Sequence, residues 1–131
     1  MEDVQPVDGL EPAPATLSTK QQLPKFSLGH LVATPGALKL LERTGFSPLA
    51  LLQRHVSGDW GDAGREDATA NEDALKSGAR IMSVYRLVPA EWLRLVPRPE
   101  RNALPTVWII TEAASENGER LCTTILRPED Y

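Results

Sequence analysis

Cysteine is nearly missing from this chain: Cys122 stands alone, so no internal disulfide can form and no cage of thiolates can hold zinc. Histidine is scarce as well, with His30 and His55 the complete set. A metal site would have to borrow carboxylates from distant segments, so neither a metal nor another cofactor is expected. No apolar run approaches the ~18 residues of a membrane span, and the opening Met1-Glu2-Asp3-Val4-Gln5-Pro6 lacks the basic and apolar regions of a secretory signal. A cytoplasmic protein without membrane contact is the expectation. Positive charge is also in deficit, with 14 Lys and Arg against 18 Asp and Glu and a net charge of -4. That balance opposes non-specific nucleic-acid binding, which relies on clustered cations to release counterions from phosphates. There is no Walker loop, no Gly-x-Gly-x-x-Gly, no His-Glu-x-x-His, no nucleophile elbow and no EF-hand ligand spacing.

What is present fits one globular domain of 131 residues, 41% hydrophobic and 24% charged. Residues 1–25 are Pro, Ala, Thr, Gln and acidic residues without apolar periodicity, which predicts a disordered amino-terminal arm. Residues 26–131 predict a single α+β domain: an antiparallel sheet of three to four strands, with three short helices packed mainly on one face. Phe26, Leu28, Leu31 and Val32 mark a first strand. Thr34-Pro35 then reads as an N-cap with proline in the first turn, opening a helix over Pro35–Thr44 that Gly45 ends. Its apolar face is Ala37, Leu38 and Leu41, with Leu40 beside it. Ser47-Pro48 repeats the signal for Pro48–Val56, where Leu49, Leu52 and Val56 form the stripe.

The turn-rich Asp59-Trp60-Gly61-Asp62 follows, then a third helix over Arg65–Ser77 closed by Gly78. Asn71 shares its inward face with Ala68 and Leu75, and the turn around Trp60 is the expected partner for its amide. Residues 80–88 alternate as a strand. Residues 89–105 hold four prolines and predict a long loop or insertion with at most one helical turn, at Ala90–Leu93. Two strong strands at residues 106–112 and 119–126 flank Asn117-Gly118, a hairpin signal. With those two residues central, Glu116 faces Glu119, Glu112 faces Thr123 and Trp108 faces Arg127. One side of the ribbon then holds Trp108, Ile110, Glu112, Leu121, Thr123, Ile125 and Arg127, and the other Val107, Ile109, Thr111, Cys122, Thr124 and Leu126. Both sides are apolar, so the side away from the helices needs a cover: the 89–105 loop, a second subunit or a partner. A longer turn would slip the register by one residue and exchange the sides.

His55 is the strongest candidate for acid–base chemistry, since it sits in the last turn of a helix beside the Trp60 turn. The alternative is a structural histidine, capping carbonyls at the surface or half-buried. Asp59 and Asp62 read either as a carboxylate pair or, with more support from their turn context, as Asx-turn and N-cap residues. Trp60 reads as a core residue or a stacking platform. Trp60, Asp59, Tyr85, Trp108, Glu112 and Arg127 make up the candidate binding set, and no residue is assigned to metal.

Helices followed by a sheet, with a helical His55 and with Arg80, Thr111 and Thr123 on strands, resemble in outline the ribonuclease-like toxins of the barnase, colicin and RelE type. The resemblance implies a metal-independent catalytic set in which His55 is the base and Arg80, Thr111 and Thr123 hold the phosphate. Four segments resemble a second group, the small plasmid-related proteins of bacterial mobile elements. They are Ala33-Thr34-Pro35-Gly36-Ala37-Leu38, Gly58-Asp59-Trp60-Gly61-Asp62, Val107-Trp108-Ile109-Ile110-Thr111-Glu112 and Thr123-Thr124-Ile125-Leu126. That resemblance implies a genomic setting. The leading expectation is a non-enzymatic accessory protein that binds a host or element-encoded protein through the open sheet side and the 89–105 loop. A homodimer that covers the same side is a third reading.

Overall fold

The computed structural model describes residues 23–131 together with the backbone of a two-residue strand, β1 (Gln5–Pro6). The arm expected over residues 1–25 falls largely outside the described residues. The remaining elements run β2 (His30–Ala33), α1 (Pro35–Thr44), α2 (Pro48–Val56), α3 (Arg65–Ser77), β3 (Ile81–Arg86), α4 (Ala90–Leu93), β4 (Thr106–Thr111) and β5 (Cys122–Leu126). Short 3-10 turns occupy Arg98–Ala103 and Pro128–Asp130. The protein is α+β.

Local signals set the helices where the sequence places them. Thr34 accepts from the Ala37 amide at 3.2 Å and Ser47 from the Ala50 amide at 3.2 Å, so both N-caps form. Gly45 and Gly78 close α1 and α3 in the left-handed conformation. The buried stripes are rotated from expectation. On α1 it is Ala37, Leu40 and Leu41, and on α2 it is Leu51, Leu52 and His55. On α2 the rotation turns the imidazole into the protein, where two strands supply its hydrogen bonds.

The sheet is mixed rather than antiparallel, in the order β1-β2-β5-β4-β3 with β2 parallel to β5. A parallel pair needs a long crossover, and here almost the whole domain lies between the two strands. The first strand begins at His30, not Phe26, because Gly29 at φ +66° interrupts the extended run. The hairpin also departs from the two-residue turn. Gly118 N–H donates to the Ser115 carbonyl at 2.8 Å and Ser115 N–H to the Glu119 carbonyl at 2.7 Å. Glu116, Asn117 and Gly118 therefore form a three-residue loop, with Gly118 at φ +82° taking its left-handed third position.

That extra residue slips the register, so Trp108 faces Leu126 and Thr111 faces Thr123. Every β5 side chain is exchanged between faces. The helix-covered face now collects Ala33, Ile81, Ser83, Tyr85, Val107, Ile109, Thr111, Thr123 and Ile125, each at most 1% exposed. The opposite face is not open either. Val32, Val84, Ile110 and Leu126 on it are between 3% and 8% exposed. The chain's own end contributes to that cover, since Tyr131 packs edge-on against Trp108 with ring centroids 5.6 Å apart. An uncovered apolar sheet face, expected from the two-residue turn, is thus corrected.

The β3 edge is closed by polar groups. Asn71 Nδ2 donates to the Met82 carbonyl at 2.7 Å while Oδ1 accepts from the Met82 amide at 3.0 Å. Its amide pairs with the strand and not with the Trp60 turn. That turn instead pairs with Val84, which donates to the Trp60 carbonyl and accepts from the Asp62 amide. A free edge is a template for aggregation, and both devices blunt it.

Candidate functional site

His55 is 0% exposed, and its two ring nitrogens meet two hydroxyls. Nδ1 lies 2.6 Å from Ser83 Oγ and Nε2 lies 2.9 Å from Thr111 Oγ1. Thr111 Oγ1 is 2.7 Å from Thr123 Oγ1, which donates to the Leu28 carbonyl at 2.6 Å. Because that carbonyl only accepts and each hydroxyl carries one proton, the chain has one direction. Thr123 gives its proton to Leu28, Thr111 gives its own to Thr123, and His55 therefore donates from Nε2. Nδ1 is left as the acceptor for the Ser83 hydroxyl. A neutral imidazole satisfies all four side chains.

The surroundings favour that state. Burial pushes the His55 pKa down from 6.5 to about 3, and the nearby Arg120 guanidinium pushes the same way. Phe26 and Trp60 meet the imidazole edge-on, with centroids 5.1 and 6.1 Å away. Along the sheet the polar residues separate two apolar clusters, one around Leu41, Leu52 and Ile109 and a smaller one around Trp60, Ala74 and Ile81. His55, Thr111 and Thr123 come together. Arg80 does not join them. It is exposed and donates to Tyr131 Oη at 2.8 Å near the opposite face. A base and a phosphate anchor that a substrate would bridge are thus divided between the buried interior and the opposite face of the sheet.

The other candidates are mostly framework. Trp60 is 7% exposed and donates from Nε1 to Glu72 at 2.8 Å. Asp59 accepts from the Gly61 amide at 3.0 Å, an Asx-turn, and from Arg54 at 2.7 Å. Hydrogen bonds from Arg54 and Gly61 hold its carboxyl below the usual range against the opposing effect of burial, which is the largest influence on it. Tyr85 is 1% exposed, donates to the Asp59 carbonyl at 2.6 Å and has its pKa raised by burial. Trp108 is half-buried and Glu112 exposed.

Arg127 belongs to a clamp at the amino end of α1. Its Nη2 meets Asp130 at 2.6 Å, and Asp130 also accepts from the Thr34 hydroxyl at 2.6 Å. Those bonds, Arg127 first, hold the Asp130 carboxyl far below its ordinary value. Gly36 admits the Arg127 guanidinium, which a Cβ there would strike. The Thr34-Pro35-Gly36 segment therefore packs against the chain's last residues.

Sequence reasoning missed the arginines. Asp62, 6% exposed at its side chain, takes Arg86 at 2.9 Å, Arg101 at 2.7 Å and Arg98 at 3.0 Å. One carboxylate ties three guanidinium groups, two of them on the 98–103 turn, and so fastens the 89–105 segment to the Trp60 turn. Asp62 is not an N-cap, since Gly64 takes that position. Arg120, 6% exposed, donates to the carbonyls of Ala74, Ala79 and Glu112 and caps the end of α3, with no carboxylate partner among the described residues. Nothing in local periodicity marks these pairings. Beyond the 89–105 anchor, Trp92 and Leu95 stand 62% and 81% exposed on one turn.

Among the described residues no group of three His, Cys, Asp or Glu is arranged to hold a metal ion, and no helix is long and apolar enough to cross a membrane. Comparison of the chain with protein-family models, curated proteins and solved structures finds no match. The fold and the side chains alone carry the functional reading.

Proposed function

We propose that this protein acts by binding another protein, with the Trp92 and Leu95 side chains as its anchors, as an accessory protein of a bacterial mobile element. The observation that carries the reading is the pairing of exposure with rigidity. Trp92 and Leu95 project from the α4 turn, where Leu95 N–H donates to the Trp92 carbonyl at 2.9 Å. Leu93 and Val96, on the same turn, are half-buried. The segment's far end is held by Arg98 and Arg101 on Asp62. Large apolar side chains presented without ordering cost are what protein interfaces use as anchors. The setting in a mobile element rests on the four segments quoted above.

Two features count against RNA cleavage in this reading: His55 has its lone pair engaged by Ser83, and Arg80 is turned toward the opposite face of the sheet. A photocrosslinking residue at position 92 of the full chain, expressed in bacteria carrying its partner, tests the proposal. A single protein adduct is expected, reduced strongly by Leu95→Glu and absent when the crosslinker replaces exposed Asp73. An adduct of two copies of the chain would make the partner a second subunit. No adduct at 92, or the same adducts from 73, rejects the proposal.

A further inference from the structure

We propose that the outer edge of β2 is a strand-accepting surface, covered reversibly by Gln5–Pro6, and that an extended segment of another protein takes the place of that cover. The two edges of the sheet carry the inference. At β3 the closing groups are built into the domain. Asn71 binds both the amide and the carbonyl of Met82, and the Trp60 turn binds both those of Val84. Neither leaves without disturbing a buried side chain, Asn71 at 3% or Trp60 at 7% exposure. At β2 the cover is β1, two residues paired with Ala33 and Val32 and joined to β2 through residues 7–29. Antiparallel neighbours are ordinarily joined by a short hairpin, and closing so long a connection has an entropic cost that grows with its length.

Backbone parity fixes what the edge offers. His30 N–H donates to the Leu121 carbonyl and Thr34 N–H to the Ile125 carbonyl, so the even-numbered residues of β2 turn toward β5. The N–H and C=O groups of Leu31 and Ala33 therefore point outward. Gln5 faces Ala33 and is the β1 residue that exchanges both hydrogen bonds with it, whereas Pro6 faces Val32 at a position whose N–H would point away from β2. Proline there loses no bond to β2 and presents no donor to a further strand, so the cover also ends the sheet. Of the two residue pairs in this register one is hydrogen-bonded, against four aligned pairs between β2 and β5. The edge accepts a segment that runs antiparallel to β2 and carries N–H groups opposite Ala33 and Leu31, with main-chain bonds supplying the affinity. This surface does not rest on the Trp92 and Leu95 anchors.

Hydrogen exchange of the isotope-labelled full chain compares the two edges directly. The Ala33 amide is expected to exchange at least about a hundredfold faster than the Met82 amide, as local opening of β1 requires. Equal rates would make β1 a fixed strand and overturn the proposal. The probe for the uncovered edge is a synthetic peptide of residues 1–12 of this chain. It should bind the full-length Gln5→Pro chain, which lacks the β1 N–H paired with Ala33, with saturable shifts centred on the amides of residues 30–33. The wild-type chain should bind it at least about tenfold more weakly, because its own strand competes for the edge. The same peptide carrying Gln5→Pro should bind neither chain. No binding to the Gln5→Pro chain, or equal binding by both chains, overturns the proposal. A Gln5→Pro chain that sediments as a dimer joined through β2 overturns it in favour of a second copy as the occupant.

Discussion

Two polar regions of this molecule solve the problem of buried polarity in opposite ways. Around His55 every hydroxyl and ring proton has one acceptor, the four linked side chains are neutral, and the imidazole is fully buried. Around Asp62 one carboxylate is shared by three arginines, positive charge is in excess, and the network reaches the surface through Arg98, 54% exposed. Among the described residues no buried side-chain nitrogen or oxygen lacks a partner in either region. A closed, neutral chain has nothing left to offer a ligand, while an unbalanced one does.

The contrast predicts unequal responses to mutation. Asp62→Ala should be the most damaging change, costing about 3–5 kcal/mol, because it strands Arg86 and Arg101 in a shielded site without a counter-charge. Urea denaturation measures it, and a loss below 1 kcal/mol would show that solvent already screens the cluster. Limited proteolysis at Arg94 should accelerate in the same variant as the 89–105 segment loosens.

Next comes His55→Leu, at about 2–4 kcal/mol, since Ser83 and Thr111 each lose a partner inside the core. Its pH signature is sharper than its size. The folded-state pKa lies below the ordinary 6.5, so below that pH the unfolded chain takes up a proton that the folded one refuses. Stability from this group is complete above pH 6.5 and falls toward pH 3 at up to about 1.4 kcal/mol per pH unit. Wild-type denaturation between pH 6.5 and 4.5 should show that slope and His55→Leu should flatten it; equal slopes would mean that the imidazole titrates normally.

Thr34→Ala should cost about 1–2 kcal/mol, as it removes both the α1 cap and the hydroxyl bonded to Asp130. A thermal melt compared with that of Ser47→Ala separates the contributions, because Ser47 caps α2 without such a second bond. Smallest of all, Trp92→Ala should change stability by less than about 0.5 kcal/mol while removing partner binding. A large loss of stability there would show the side chain to be structural.

Helices were the most legible part of the chain, because Thr34-Pro35, Ser47-Pro48, Gly45 and Gly78 act within a few residues of themselves. The site was legible only in pieces. His55, Thr111 and Thr123 were singled out by residue type and do meet, yet Ser83 and the direction of the proton chain depend on a strand pairing that spacing does not reveal. Asp62 stood out as a turn residue, but its three arginines lie 24 to 39 positions along the chain. Asn117-Gly118 correctly marked a hairpin; the loop it formed was one residue longer, and a period of two turned that single residue into an exchange of faces.

By itself the sequence determined what local chemistry controls: the capped helices, the apolar strands, the turns between them, and an acidic chain poor in metal ligands. Only the tertiary structure decided that β2 runs parallel to β5, which side of β5 is buried, and that His55 is enclosed while the arginines gather on one carboxylate. Those outcomes depend on burial and pairing between distant segments, where one residue of register or one shared counter-charge outweighs any local preference.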